Sequence, residues 1–205
     1  MSYGEENAQI VFGVVEQGHQ YLAEAIRKVT GDPGELRAKA DECARCATEV
    51  GDTASSTDKI LANLGQTWQG KAYDSCNQVT TELTKELVEV LKRELEQEKQ
   101  RLEQSAQALV SAKSQTEQQK QNFGQQAQQI IQQMQQAIQA AKALPDQPPH
   151  MKMIKIMLIA MAIMNAFGKA TKAKNSAQQA ADSTMKELSN TLTSLFSNNS
   201  TATAA

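Results

Sequence analysis

Aromatic residues make up only 4% of this 205-residue chain, and it carries just 4 Pro, 10 Gly, 3 Cys and 2 His. With so few helix breakers and so much Ala, Gln, Glu, Lys and Leu, the composition points to long helices rather than a sheet. Three cysteines, an odd number, imply no disulfide framework. The 21 basic residues against 23 acidic ones leave a formal charge of −2, so the footprint of a non-specific nucleic-acid binder is missing. Met1 to Asn7 is polar and acidic, which leads us to expect no general secretory signal. Ser2 stands where N-myristoylation needs a glycine.

Signatures of chemistry are equally scarce. There is no Gly-x-Ser-x-Gly, no His-Glu-x-x-His and no Asp-rich calcium loop, and His19 and His150 stand far apart in the chain. Gly65-x-x-x-x-Gly70-Lys71 imitates a phosphate-binding loop, but position 72 is alanine. The hydroxyl that would ligate magnesium is missing, and what precedes Gly65 reads as helix rather than strand. Cys43-Ala-Arg-Cys46 is a single pair where a zinc site needs four ligands. A hairpin turning near residue 67 sets Cys43 opposite roughly position 92 and Cys76 opposite roughly position 59, beyond the ~7 Å between Cα atoms that a disulfide allows. We therefore expect structural thiols, no catalytic residue, no metal and no cofactor.

What is present is helical periodicity in four stretches. Val11, Val15, Gly18, Leu22, Ala25 and Val29 step by four and three along a first helix. It ends at Gly31-Asp32-Pro33-Gly34, which cannot continue a helix. The second stretch repeats every seven residues, with Leu36, Cys43, Val50, Thr57 and Leu64 on one line and Ala40, Ala47, Ala54 and Leu61 on the other. That is a coiled-coil seam narrowed by alanine, with Gly51 as its weak point. A turn, Gly65 to Gly70, makes the next helix an antiparallel neighbour. This third helix is expected from Lys71 to Leu144, with an apolar stripe Cys76, Val79, Leu83, Leu87 and Val90 that drifts onto Leu95, Leu102 and Leu109. It resumes past a Gln-rich patch as Ala127, Ile130, Met134, Ala137, Ala141 and Leu144. Glu89 and Arg93 form an i,i+4 pair, and Gly124 is the expected kink. Pro145 to Pro149 ends that helix, and a fourth covers about His150 to Phe196.

The turn carries a resemblance. Gly31-Asp32-Pro33-Gly34-Glu35-Leu36-Arg37, an Ala-rich helix, then Trp68-Gln69-Gly70 opening a third helix resembles the WXG-motif family, small helical hairpins similar to early secreted antigens. The likeness covers about residues 32–105, and the added helices look like the larger PPE-type members. It implies a non-enzymatic component or substrate of a type VII secretion system, cytoplasmic before export and then secreted folded, without a cleaved signal peptide. Trp68 and Gly70 would form half of an export signal read by a secretion ATPase. The family's other half is Tyr-x-x-x-Asp/Glu, whereas Tyr73, Tyr21 and Tyr3 are followed at the fourth position by Asn77, Ala25 and Asn7. Either a partner supplies that half, or the protein is not itself the signal-bearer. The implied partners are a second copy or another WXG-like chain, the secretion ATPase or a chaperone.

One run remains, Ile156 to Phe167, with Lys152 and Lys155 before it and Lys169, Lys172 and Lys174 after it. Twelve residues of helix span roughly 18 Å, short of a ~30 Å hydrocarbon core, which disfavours simple spanning. Met157, Leu158, Ile159, Met161, Ile163, Met164 and Phe167 are the contacts expected to meet an oligomer, a partner, a folded-back first helix or a membrane surface. A membrane-active helical protein is the alternative function. The expected fold is all-α, an elongated antiparallel helical bundle with a long helical hairpin arm. Its parts would be an N-terminal helix (1–30), a WXG-like hairpin (31–105), an arm with its return helix (106–196) and a disordered tail (197–205).

Overall fold

The computed structural model describes residues 3–197 except 146 and 148. Among them all regular structure is helical: α1 (Tyr3–Lys28), α2 (Pro33–Thr67), α3 (Lys71–Glu86), a six-residue π-helical segment (Leu87–Lys92), α4 (Arg93–Lys142) and α5 (Pro149–Ser197). Ser197 closes α5, and the rest of the expected tail lies outside the described residues. The chain divides into two compact units, one within Met1–Thr30 and Ser111–Asn190, the other within Gly31–Val110 and Thr191–Ala205.

The second unit is built on the α2–α3 hairpin and the start of α4. Gly31 takes a positive φ of 129° where Leu109 lies against it, a conformation natural to glycine. Asp32 then caps α2, its carboxylate accepting from the Gly34 N–H at 2.7 Å while Pro33 opens the first turn. Ala40, Ala47, Ala54 and Leu61 are the buried line of α2, and Leu36, Cys43, Val50, Thr57 and Leu64 are half-buried beside it. The seam read from the heptads is the one that packs.

The facing helix departs from its expected stripe. Of that stripe Cys76 and Leu87 turn inward, together with Tyr73, Asn77, Thr80 and Thr84, of which Thr84 is buried. Val79 and Leu83 stay 65% and 55% exposed, and Val90 is exposed too. Alanines on α2 admit close approach, which favours short threonines against them; Thr84 satisfies its own hydroxyl on the Thr80 carbonyl at 2.9 Å. After Leu87 the next inward residue is Lys92, a step of five, and then Leu95 and Leu102. The π segment supplies that extra residue, so the drift in the sequence is a single slip localised at 87–92 and not a kink at Gly124, where α4 runs on as regular helix. The Lys92 ammonium lies 3.6 Å from where a Cβ on Gly51 would be: the weak glycine of α2 makes room for it. Glu89 meets Lys85 at 4.0 Å, on the near side of the widened turn that separates it from Arg93.

In the first unit, α1 folds back onto the 111–142 part of α4 and onto α5. Val11, Val15, Ala127, Ile130, Met134, Ile138, Ile163, Ala166 and Ala170 form one core cluster, and Leu22, Ala25, Phe123 and Ala181 a second. Every member of the α1 stripe expected from the sequence is buried or half-buried. On α4, Ile138 replaces Ala137 as the inward residue. The Gln-rich patch is put to use between helices: Gln119 donates to the Thr184 hydroxyl at 3.1 Å, and Lys169 donates to Gln133 at 3.1 Å. Tyr21 donates to Asp182, tying α1 to α5; that bond, with some burial, raises the tyrosine's pKa.

Gly18 marks the tightest approach in this unit. A Cβ there would sit 2.3 Å from Cζ of Phe123, a ring that is 2% exposed and meets His19 edge-on at 5.1 Å. Gly13, in the same helix, has nothing within 4 Å. Gly18→Ala should therefore destabilise the unit by about 1–3 kcal/mol through overpacking. Gly13→Ala should stabilise it by up to about 1 kcal/mol through helix propensity. Thermal unfolding followed by circular dichroism should show opposite shifts for the same chemical change. Equal shifts would remove the close approach at Phe123.

Candidate functional site

The turn between α2 and α3 is built from a short set of bonds. The Trp68 N–H and the Thr67 hydroxyl both donate to the Leu64 carbonyl, at 2.8 and 3.3 Å, closing the end of α2. Trp68 is extended, with φ −118° and ψ 119°. Gly70 then takes φ 102° and ψ −177° as the N-cap of α3, and its carbonyl accepts from Asp74 N–H at 3.1 Å. That conformation is essentially restricted to glycine, so the glycine of Trp68-Gln69-Gly70 is required by the backbone. Space does not require it, since nothing lies within 4 Å of a Cβ there.

Tyr73 is the residue that sequence reasoning missed. Its hydroxyl donates to the Leu61 carbonyl at 3.2 Å, and its ring meets the Trp68 indole edge-on, with centroids 6.1 Å apart. It lies over Gly65, where a Cβ would come 2.4 Å from the tyrosine oxygen. The signal was the spacing Gly65 to Tyr73, eight residues across a turn, and only the folded turn gives it meaning. Trp68 therefore rests one side of its indole on Tyr73 and remains 41% exposed. It is an aromatic presented to solvent from a fixed backbone, with a donor N–H and a large apolar face.

Beside this turn the hairpin shows a second feature. In heptad terms Ile60 on α2 and Leu83 on α3 hold equivalent flanking positions, next to Val79, and all three are exposed, as is Val90 in the π segment. On antiparallel helices equivalent flanking positions fall on the same side of the pair. The hairpin thus carries an uncovered apolar stripe along one side.

The α5 residues singled out in the sequence divide. Ile163 is buried and Ile159 half-buried against the first unit's core, while Met157, Leu158, Met161, Met164 and Phe167 are exposed. They belong to the first unit, and the Trp68 turn belongs to the second. The apolar stretch is also longer than the run of twelve. An 18-residue window within His150–Ser197 reaches a mean hydropathy of 1.5, with 11% of it buried. By length and composition this helix could cross a membrane, because Met151, Met153 and Ile154 extend the run past Lys152 and Lys155. The expectation from the shorter count is corrected to that extent.

Cys43, Cys46 and Cys76 are free thiols, all half-buried. Burial pushes the Cys43 thiol up, and the Glu98 carboxylate pushes it the same way, so it is a poor nucleophile. Among the described residues no group of three or more His, Cys, Asp or Glu could hold a metal ion. His19 serves as a packing partner of Phe123.

Compared with known proteins, residues 28–114 match the family model of proteins of 100 residues with WXG. That span agrees, to within four residues at either end, with the Gly31–Val110 part of the second unit. Neither a curated protein nor a solved structure matches the chain.

The geometry separates the two motif residues. Gly70→Ala forces a side chain into a strained backbone and should lower stability by about 1–3 kcal/mol. Trp68→Ala removes an exposed ring and should lower it by less than about 1 kcal/mol. Urea unfolding of both variants checks this. A Trp68→Ala loss as large as that of Gly70→Ala would make the indole a core element.

Proposed function

We propose, from the match of residues 28–114 to the WXG family model, that this chain is a non-enzymatic substrate or component of a type VII secretion system, exported folded. The observation that supports this reading most is the Trp68 turn. Its backbone is fixed by Gly70, the Leu64 carbonyl and Tyr73, while the indole is left open for a partner. A flat, preorganised aromatic in a rigid turn suits a recognition contact, since little side-chain entropy is lost on binding. Trp68 and Gly70 carry the export contact with the secretion ATPase, Trp68 directly and Gly70 by holding the turn.

Proteins of the family generally form dimers with partner proteins. In this chain the stripe of Ile60, Val79, Leu83 and Val90 is the face for a second hairpin, from another copy or from another WXG-like chain. A partner hairpin laying its own apolar flank there would turn the two-helix seam into a four-helix core. It would also supply the Tyr-x-x-x-Asp/Glu half-signal that Tyr73, followed by Asn77, does not.

Two measurements test this. Trp68→Ala should remove the protein from culture filtrate, with intracellular level and helical content unchanged and a cytosolic marker excluding lysis. Undiminished export would refute the role of the turn. Leu83→Asp should weaken hairpin association at least about tenfold, equal to about 1.4 kcal/mol, in sedimentation of the chain alone or with a co-expressed WXG-like partner. An unchanged sedimentation profile would remove this stripe as the partner face.

A further inference from the structure

Outside the family segment, α5 carries a face that the export reading does not use. Met153, Met157, Met161 and Met164 step by four, four and three residues and share one side of the helix, and they are 71%, 60%, 55% and 66% exposed. Ile154, Ile156, Leu158 and Phe167 flank that row and are exposed as well. The opposite side of the same helix is Ile163, Ala166 and Ala170, packed into the core with Val11, Ile130 and Met134. Within its unit α5 is therefore amphiphilic in an unusual sense, with one apolar side covered and the other open.

Charge decides what fits the open side. From Gln147 to Ala181 there are five lysines and no Asp, Glu or Arg. The whole chain is at −2, so the positive charge is concentrated on an otherwise acidic protein. Lys172 lies 18 residues after Ile154, five full helical turns along the same line at the edge of the methionine row, while Lys152 stands at the N-terminal end of the helix on the line of Ala170. Both are exposed. A second copy docking by this face would bring together two lysine-rich segments, with no carboxylate in either to neutralise them. A surface of anionic phospholipid provides both needs: phosphates for the lysines, and an acyl boundary for thioether and branched side chains that reorganise readily.

We propose that the Met153–Phe167 face of α5, with Lys172 at its edge and Lys152 exposed at the helix's N-terminal end, docks on an anionic phospholipid surface, independently of the Trp68 turn. The helix lies in the interface and does not cross it. Its inner side is held in the bundle by Ile163, Ala166 and Ala170, by Lys155 donating to the Leu144 carbonyl at 3.2 Å and by Lys174 donating to Gln17 at 3.3 Å. Crossing would require that side to be stripped from α1 and α4. Lying flat leaves the core intact and buries the methionine row at the headgroup–acyl boundary.

The test is flotation of the full chain with vesicles of phosphatidylcholine containing about one third phosphatidylglycerol, against pure phosphatidylcholine, at low and high salt. The chain should float with the anionic vesicles only, and less at high salt. Lys152→Gln with Lys172→Gln should weaken partitioning about 30-fold, from about 1 kcal/mol per lysine. Met157→Asp with Met161→Asp should abolish it with helical content unchanged, since both side chains are exposed. If the aspartate pair unfolds the chain, the glutamine pair, which touches no core residue, decides alone. Equal flotation of wild type and the lysine variant overturns the proposal, as does binding to neutral vesicles alone. Release of an entrapped dye would show crossing and overturn the flat geometry. A homodimer in sedimentation that Met157→Asp with Met161→Asp breaks, with no flotation of wild type, would assign the face to a second copy instead. Export of the lysine variant should be normal, so failure of this proposal leaves the role of Trp68 untouched.

Discussion

A seam of alanines can hold two helices close but can bury little. Ala40, Ala47 and Ala54 on α2 set the spacing of the hairpin, and each offers one methyl group where a leucine would offer four carbons, at about 0.8 kcal/mol per buried CH₂. Close spacing selects short partners, so Thr80 and Thr84 face inward and Val79 and Leu83 are turned out. The exposed stripe of the hairpin follows from the narrow seam. A hairpin of this kind is left with apolar surface on its outer side.

The same shortage of bulk shapes the π segment. An α-helix keeps an inward line by steps of three and four, and the line Tyr73 to Leu87 on α3 is out of phase with the Leu95, Leu102, Leu109 line on α4. One inserted residue over Leu87–Lys92 joins them, and it falls where Gly51 leaves room on α2 for Lys92. Three lines of small or absent side chains (the alanine seam, Gly51 and Gly65 under Tyr73) thus let backbones approach and fix the register of the hairpin. In the other unit Gly18 under Phe123 plays the same part.

Much of this was legible along the chain. The α1 stripe, the α2 heptads and the breaks at Gly31–Gly34, Gly65–Gly70 and Pro145–Pro149 are local patterns, and the structure reproduces them because helix periodicity and breaker chemistry act over a few residues. Trp68-Gln69-Gly70 could be identified in the turn, and Gly70's positive φ explains its glycine. Tyr73 could not be picked out as the indole's support, because its bond to the Leu61 carbonyl exists only once the turn closes. The side on which Val79 and Leu83 would lie was also hidden, since their spacing suits an inward or an outward stripe equally.

By itself the sequence determined the helical class, the positions of the breaks and the hairpin segment's likeness to the WXG family model, all set by short-range stereochemistry and a three-residue motif in its context. It also set the charge of the α5 segment, which needs no structure to count. Tertiary structure alone decided which apolar residues are spent inside and which remain outside. Periodicity gives a residue's angle around its helix, but only the neighbouring helix, at its actual distance, decides which angle is covered. For α5 those neighbours are α1 and α4, which cover Ile163 and Ala170 and leave the methionine row open.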